Sequence, residues 1–298
     1  MGPFPTRLAS IIQVRQTPGA ALMRRILTIL CLGLLPALAE AGTNGKPLWE
    51  LGAGTYLLSL PAYPGATEYQ TYLLPFPFVI YRGQFLRADR HGIRGVFFAS
   101  PRLSLSLSAT ASPPVSSAHV PIRRGMPNLQ PTFEVGPQLK LHLYRTPQAT
   151  LDLRLAIRSV QTLRLTQIGW VAAPYLNLNL PDWRDSGWNL GLALGPDFGD
   201  RGYHRYFYDV APQYATANRP TYRAPAGYSG TNLYLAANRR FGRFWVGGFL
   251  HYDSLQGAVF EHSPLVRTRR YLSAGVGVAW IFAQSTQRAA PAAAHAAR

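Results

Sequence analysis

From Leu48 onward the chain alternates apolar residues with polar or small ones at a period of two. Phe133, Val135, Pro137, Leu139, Leu141 and Leu143 alternate with Glu134, Gly136, Gln138, Lys140 and His142. Leu151, Leu153, Leu155 and Ile157 alternate with Asp152, Arg154, Ala156 and Arg158, and Leu103, Leu105 and Leu107 with serines. Successive strand side chains point to opposite faces, so each run predicts a strand with one apolar and one polar face. The pattern places strands near 48–57, 70–81, 84–98 (one or two), 101–108, 133–143, 150–158, 162–180 (one or two), 187–195, 229–238, 243–252 and 271–282. The expected fold class is all-β, an antiparallel transmembrane β-barrel of about 12 strands with 10–14 open. Bacterial barrels use even strand numbers, and ~9–11 tilted residues cross a bilayer. Segments 109–130, 196–228 and 253–270 are expected as long loops or lumen plugs.

Residue choice separates lipid from a soluble core. Soluble strands favour Val and Ile, whereas leucine dominates here. Trp49, Tyr56, Tyr72, Phe76, Trp170, Trp183, Trp188, Trp245 and Trp280 fall near predicted strand ends, as interfacial girdles would require. The competing expectation is a lipocalin-like soluble barrel with its leucines inside. Composition favours the membrane. The charged fraction of 14% is well below the ~25% of soluble domains, yet a mean hydropathy of -0.03 is too low for a bundle of transmembrane helices.

The formal net charge of +17 invites a nucleic-acid reading. Its distribution argues against one: arginines are scattered along the chain, Lys46 and Lys140 are the only lysines, and no basic helical face or nucleic-acid module is recognisable. No nucleic-acid partner is expected; the arginines suit contact with anionic lipid or cell-wall polymer.

Met23-Arg24-Arg25, the apolar run Ile26 to Leu35, and Ala37-Leu38-Ala39 or Ala39-Glu40-Ala41 read as a Sec signal peptide over 23–41. The run is shorter than the ~20 residues of a transmembrane helix. Residues 1–22 read as an over-extended start, 42–282 as the barrel and 283–298 as an Ala-rich disordered tail. The expected localisation is the Gram-negative outer membrane. Cys31, the single cysteine, lies in the signal, which leaves no disulfide and no cysteine-ligated metal.

Ordered motifs resemble the MipA/OmpV family, the MltA-interacting proteins of the outer membrane. Tyr63-Pro64-Gly65, Leu74-Pro75-Phe76-Pro77 and Tyr81-Arg82-Gly83 are similar to its opening strands. Arg124-Gly125-Met126-Pro127-Asn128-Leu129 followed by Glu134-Val135-Gly136-Pro137 is the most distinctive stretch. Tyr206-Phe207-Tyr208-Asp209-Val210, Arg219-Pro220-Thr221-Tyr222, Gly227-Tyr228, Gly257-Ala258-Val259-Phe260 and Ser263-Pro264-Leu265-Val266 continue it. The resemblance runs from about 48 to 285. It implies a non-enzymatic scaffold joining a murein-degrading lytic transglycosylase to a bifunctional murein synthase. In their own right the motifs read first as architecture, with glycines at turns and prolines at strand ends.

Catalytic chemistry is not expected. His91, His142, His204, His251 and His262 are present, but no spacing proposes a nucleophile, a base and an orienting group. No His pair stands at metal-ligand spacing, and Asp197 and Asp200 lack the further oxygens of a calcium loop. No cofactor is expected. If the leucines face lipid, Glu134, Lys140, Asp152, Arg154 and Arg158 project inward as a lumenal charge network, because buried charges need partners. That network reads as a plug that stiffens a closed barrel, or as an anion-preferring pore; the alternatives to the scaffold are a small-solute outer-membrane channel or a barrel hydrolase.

Overall fold

The computed structural model describes residues 45, 47–82, 86–89 and 92–289. The expected over-extended start, the expected signal peptide, Gly83 and residues 290–298 lie outside the described residues.

Twelve antiparallel strands follow one another in sequence order: β1 (Trp49–Pro61), β2 (Tyr69–Arg82), β3 (Leu86–Asp89), β4 (Gly92–Ala99), β5 (Leu103–Ser112) and β6 (Thr132–Arg145). Then come β7 (Thr150–Thr162), β8 (Gln167–Leu180), β9 (Trp188–Gly199), β10 (Gly227–Phe241), β11 (Phe244–Ser254) and β12 (Arg270–Gln284). Each pairs with its sequence neighbours, and β1 pairs with both β2 and β12, so the strand order returns on itself.

The expected fold class, an antiparallel transmembrane β-barrel of about 12 strands, needs correction. The continuous sheet consists of eleven strands, running from β4 up to β12 and on through β1 to β2. Among the described residues, β2 and β4 are bridged by β3, four residues long, which meets β2 at Tyr81↔Ala88 and Arg82↔Arg87. Four residues cannot cross a bilayer that needs ~9–11. In the sequence, Arg87, Asp89 and Arg94 interrupt the apolar alternation over this stretch. Residues 162–180, by contrast, hold one strand, β8, after a turn at 163–166.

The apolar face is the outer one. Along β7, Asp152, Arg154 and Ala156 are buried, while Leu155 and Ile157 are 42% and 54% exposed. Along β12, Ser273, Ala279 and Ile281 are buried, while Leu272, Val276, Val278, Trp280 and Phe282 are exposed. This inverts a soluble barrel and leaves the leucines outside. The aromatic set divides. Trp170, Trp183 and Trp280 are exposed, whereas Tyr56 and Phe76 pack together at 4.7 Å, and Trp245 lies 5.7 Å from the buried Phe78. These inward rings are a correction to the expected girdle. They lie over glycines: a Cβ on Gly277 would meet the Tyr56 ring at 2.6 Å, and one on Gly275 would meet Phe249 at 2.4 Å.

Strand alternation sends the long connections 62–68, 113–131, 200–226 and 255–269 to one end. The other end carries the turns 146–149, 181–187 and 242–243 and both described termini. The largest buried apolar cluster lies among the long connections, with Tyr63, Val120, Leu129, Tyr208, Val210, Phe260 and Leu265 at its centre. They fold together as a cap.

Candidate functional site

The cap is organised by one short helix, α1 (Arg201–Tyr208). Asp200 caps it by accepting from the Tyr203 backbone N–H at 2.7 Å. Tyr203, His204, Phe207 and Tyr208 then recur at three- and four-residue spacing and turn inward. The Tyr208 ring stacks on Phe260 at 3.7 Å and 11°. Its hydroxyl donates to the Pro64 carbonyl at 3.0 Å, and its own carbonyl accepts from Ser263 Oγ at 2.8 Å. Tyr63, also buried, donates to the Leu265 carbonyl at 2.6 Å. Burial raises the Tyr63 hydroxyl's pKa, so it stays a donor.

Two buried arginines hold the loops by their backbone carbonyls. Arg123 donates to Phe207 O at 3.0 Å and lies 5.4 Å over the Tyr63 ring. Arg219 donates to Ile122 O at 2.6 Å, to Arg124 O at 3.1 Å and through two nitrogens to Tyr214 O. A guanidinium offers five donors in a fixed fork, which suits it to tying several carbonyls at once.

Most residues of the sequence motifs meet in this cap. Gly65 has φ +93°, and its carbonyl accepts from the backbones of Arg267 and Thr268. Gly125 has φ +85° and leads into Met126, which packs on the apolar cluster, and Pro127, whose carbonyl accepts from Ser117 Oγ at 2.7 Å. Pro220 joins Arg219 to Tyr222, which bridges to Val210, and Pro264 joins Ser263 to Leu265. Gly136 and Pro137 sit mid-β6, where a Cβ on Gly136 would strike the Ile157 carbonyl at 2.0 Å. Tyr81 and Arg82 lie at the opposite end, on β2.

Four of the five inward charges expected from the sequence form local pairs. Arg158 Nε donates to Glu134 Oε2 at 2.8 Å. Asp152 accepts from Arg154 at 3.3 Å and contacts His142 Nδ1 at 2.5 Å. Lys140 is the cross-strand partner of Arg154 in the β6–β7 register. Glu134 and Arg158 also line a cavity of about 200 Å³ beneath the cap, shared with Asp197, Ser229, His251, Asp253 and the tyrosines 203, 208 and 271. Near the opposite end, Glu50 is 1% exposed and holds Arg82 at 3.0 Å and Arg240 at 2.6 Å. The β12 strand continues past Phe282 to Gln284. Ser285 N–H then donates to Trp49 O, and Leu48 N–H to Gln287 O.

Sequence reasoning does not foresee Glu50, Arg123, Asp253 or the His204–Ser229 pair. The signal available was a single one: aromatic residues at helical spacing behind Asp200, inside a segment otherwise read as loop. His204 is wholly buried, with Nδ1 2.6 Å from the Pro225 carbonyl and Nε2 2.7 Å from Ser229 Oγ. A carbonyl only accepts, so Nδ1 carries the proton and Nε2 accepts from the serine. Burial pushes His204 below the ordinary imidazole range. The pair pins α1 to β10. Among the described residues no group of three or more His, Cys, Asp or Glu is placed to hold a metal ion.

The family model described as "MltA-interacting protein MipA" matches residues 51–282. No curated protein matches. Solved structures similar to this chain include a bacterial polysaccharide outer membrane secretin, at 9% identity and a TM-score of 0.40, covering 80% of this chain and 100% of that one. An outer membrane channel from Pseudomonas putida F1 has 11% identity and a TM-score of 0.35, with 84% and 100% covered. A monoaromatic hydrocarbon channel, CymD, has 10% identity and a TM-score of 0.34, with 80% and 89% covered.

Proposed function

Because the chain belongs to the MipA family, a non-catalytic family of outer-membrane proteins, we propose that it is a membrane-embedded scaffold for murein enzymes, exported by a Sec signal at 23–41. The proposed partners are an MltA-type lytic transglycosylase and a bifunctional murein synthase. The observation that carries this reading is the cap. A lumen roofed by a buried apolar core, with Arg123 and Arg219 tying its loops together, favours a structural part over a throughway. The outward leucines meet lipid, and the inward Glu134, Lys140, Asp152, Arg154 and Arg158 brace the lumen.

Short turns and both termini mark the end that faces the periplasm by default in such proteins. The partner then docks at the 181–187 turn, the longest connection on that side. Asp182, Arg184 and Asp185 hold left-handed backbone there, with φ of 46°, 52° and 57°. The turn presents Trp183 with the Arg184 guanidinium 5.1 Å from its ring. Exposed strain and an exposed Trp–Arg pair are both features of contact sites. The test is a pull-down with the mature protein as bait. Wild type is expected to recover a lytic transglycosylase, and a Trp183→Ala, Arg184→Ala variant to lose it. Recovery of no murein enzyme by the wild type would overturn the scaffold reading, and stepwise conductance in planar bilayers would replace it with the channel.

A further inference from the structure

The outward face is indented across β8 to β12. Leu178, Leu192, Leu235, Leu250 and Ala274 stand side by side in register, one from each strand. The next row towards the short turns is Leu180, Leu190, Ala237, Gly248 and Val276. Cross-strand partners share a face, and Leu192, Leu235, Leu250 and Val276 are exposed, so both rows point outward. Ala237 and Gly248 are the low ground between taller side chains. They floor a groove of about 710 Å³ lined by apolar residues, glycines and Trp188.

A cation closes the groove at its turn end. Arg239 stands in register between Trp188 and Val246, both of which line it. The next residue, Arg240, turns inward to Glu50, so Arg239 turns outward. Its guanidinium lies 4.7 Å from the Phe241 ring, which meets Trp188 edge-on at 6.3 Å. Among the described residues no ion pair holds it. The only acidic residues of β9 to β12, Asp197 and Asp253, line the lumenal cavity instead.

We propose that this groove is a binding site for a single phospholipid, with the phosphate on Arg239 and an acyl chain along Ala237 and Gly248. An apolar trough that ends in one unpaired guanidinium matches a molecule with an apolar chain and an anionic head. The guanidinium fork meets phosphate oxygens bidentately, and Trp and Arg side chains settle at headgroup level. The short-turn end faces the periplasm by default, which puts the lipid in the periplasmic leaflet. A second copy of the chain fits less well. Two-fold pairing would set groove against groove and leave both unfilled, and this face has no carboxylate to offer Arg239. The inference rests on the reading that the outward face meets lipid.

Phosphatidylglycerol serves as the probe, titrated into the full protein folded in detergent and followed by native mass spectrometry. Wild type is expected to retain a single lipid saturably. Arg239→Gln removes the cation and Ala237→Leu fills the floor; each is expected to weaken retention at least tenfold. Both change outward side chains, so both are expected to keep wild-type heat-modifiable gel mobility, which separates lost binding from lost folding. Arg164→Gln, in the exposed turn at the cap end, is expected to bind as wild type does. No saturable lipid in wild type, equal retention by Arg239→Gln, or equal weakening by Arg164→Gln would each overturn the proposal. So would inorganic phosphate binding as tightly as the lipid, or a dimer in place of the lipid-bound monomer. Entry of wild type into phosphatidylglycerol vesicles is measured alongside. Entry without a retained lipid overturns this inference alone, whereas failure to enter removes the membrane reading beneath it as well.

Discussion

The two ends of the sheet are held by different physics. At the cap end four connections bury an apolar core: Tyr208 stacks on Phe260, Tyr63 reaches Leu265, and Val120, Val210 and Leu265 are fully enclosed. At the opposite end one buried carboxylate, Glu50, joins Arg82 on β2 to Arg240 on β10, while residues 285–287 extend the β12 ladder along Leu48 and Trp49. An apolar core is local and additive over the surface it buries. A buried ion cluster is all-or-none, because removing one partner strands the others. The cap is therefore expected to yield piece by piece, with the strands intact. The Glu50 cluster ties three strands and is expected to yield together with the ring.

The largest effect tests the cap. Tyr208→Ala removes a buried ring from the stack and is expected to cost about 3–5 kcal/mol. Limited proteolysis should then cut within 200–226 and 255–269 while the strands stay protected. Equal loss of protection in β1 and β12 would erase the distinction between the ends. Glu50→Gln comes next. It leaves Arg82 and Arg240 facing each other with no carboxylate, at about 3 kcal/mol, and lowers the temperature at which heat-modifiable gel mobility is lost. Restoration of the wild-type midpoint by removing both arginines as well would show that stranded charge carries the penalty.

Smaller changes sharpen the comparison. Gly65→Ala forces a side chain into a left-handed backbone, with its Cβ 3.0 Å from Leu255 Cδ1. About 1–2 kcal/mol is expected, read as faster hydrogen exchange at Arg267 and Thr268, whose amides bond the Gly65 carbonyl. The smallest effect is the pH dependence of the cap. Burial depresses the pKa of His204 in the fold, so its contribution is complete above the unfolded value of ~6.5 and is lost as pH falls towards the folded one. Cap proteolysis should rise on acidification, and His204→Gln should flatten that rise. Unchanged acid sensitivity in the variant would assign it to another group.

The charged lumen was partly legible in the sequence. Glu134, Asp152, Arg154 and Arg158 stand at alternate positions of two leucine-rich strands, so period-two geometry alone puts them on one face. Which of them pair was not legible, because pairing depends on the β6–β7 register and on side-chain reach. The motif glycines and prolines were readable as turns, but not as parts of one cap. Tyr63 and Leu265 are 202 residues apart, and Arg219 meets Ile122 across 97.

Alternation along the chain was enough to place most strands and their apolar faces, since it is a property of neighbours along one chain. Over 84–98 the pattern left one or two strands open, and the short β3 with β4 came only from the structure. That Tyr56, Phe76 and Trp245 turn inward over glycines, and that four loops share one core, came from the folded chain alone. Each of these depends on what another strand or loop places opposite. Spacing along the chain sets which way a side chain points, and contacts across the sheet set what it meets there.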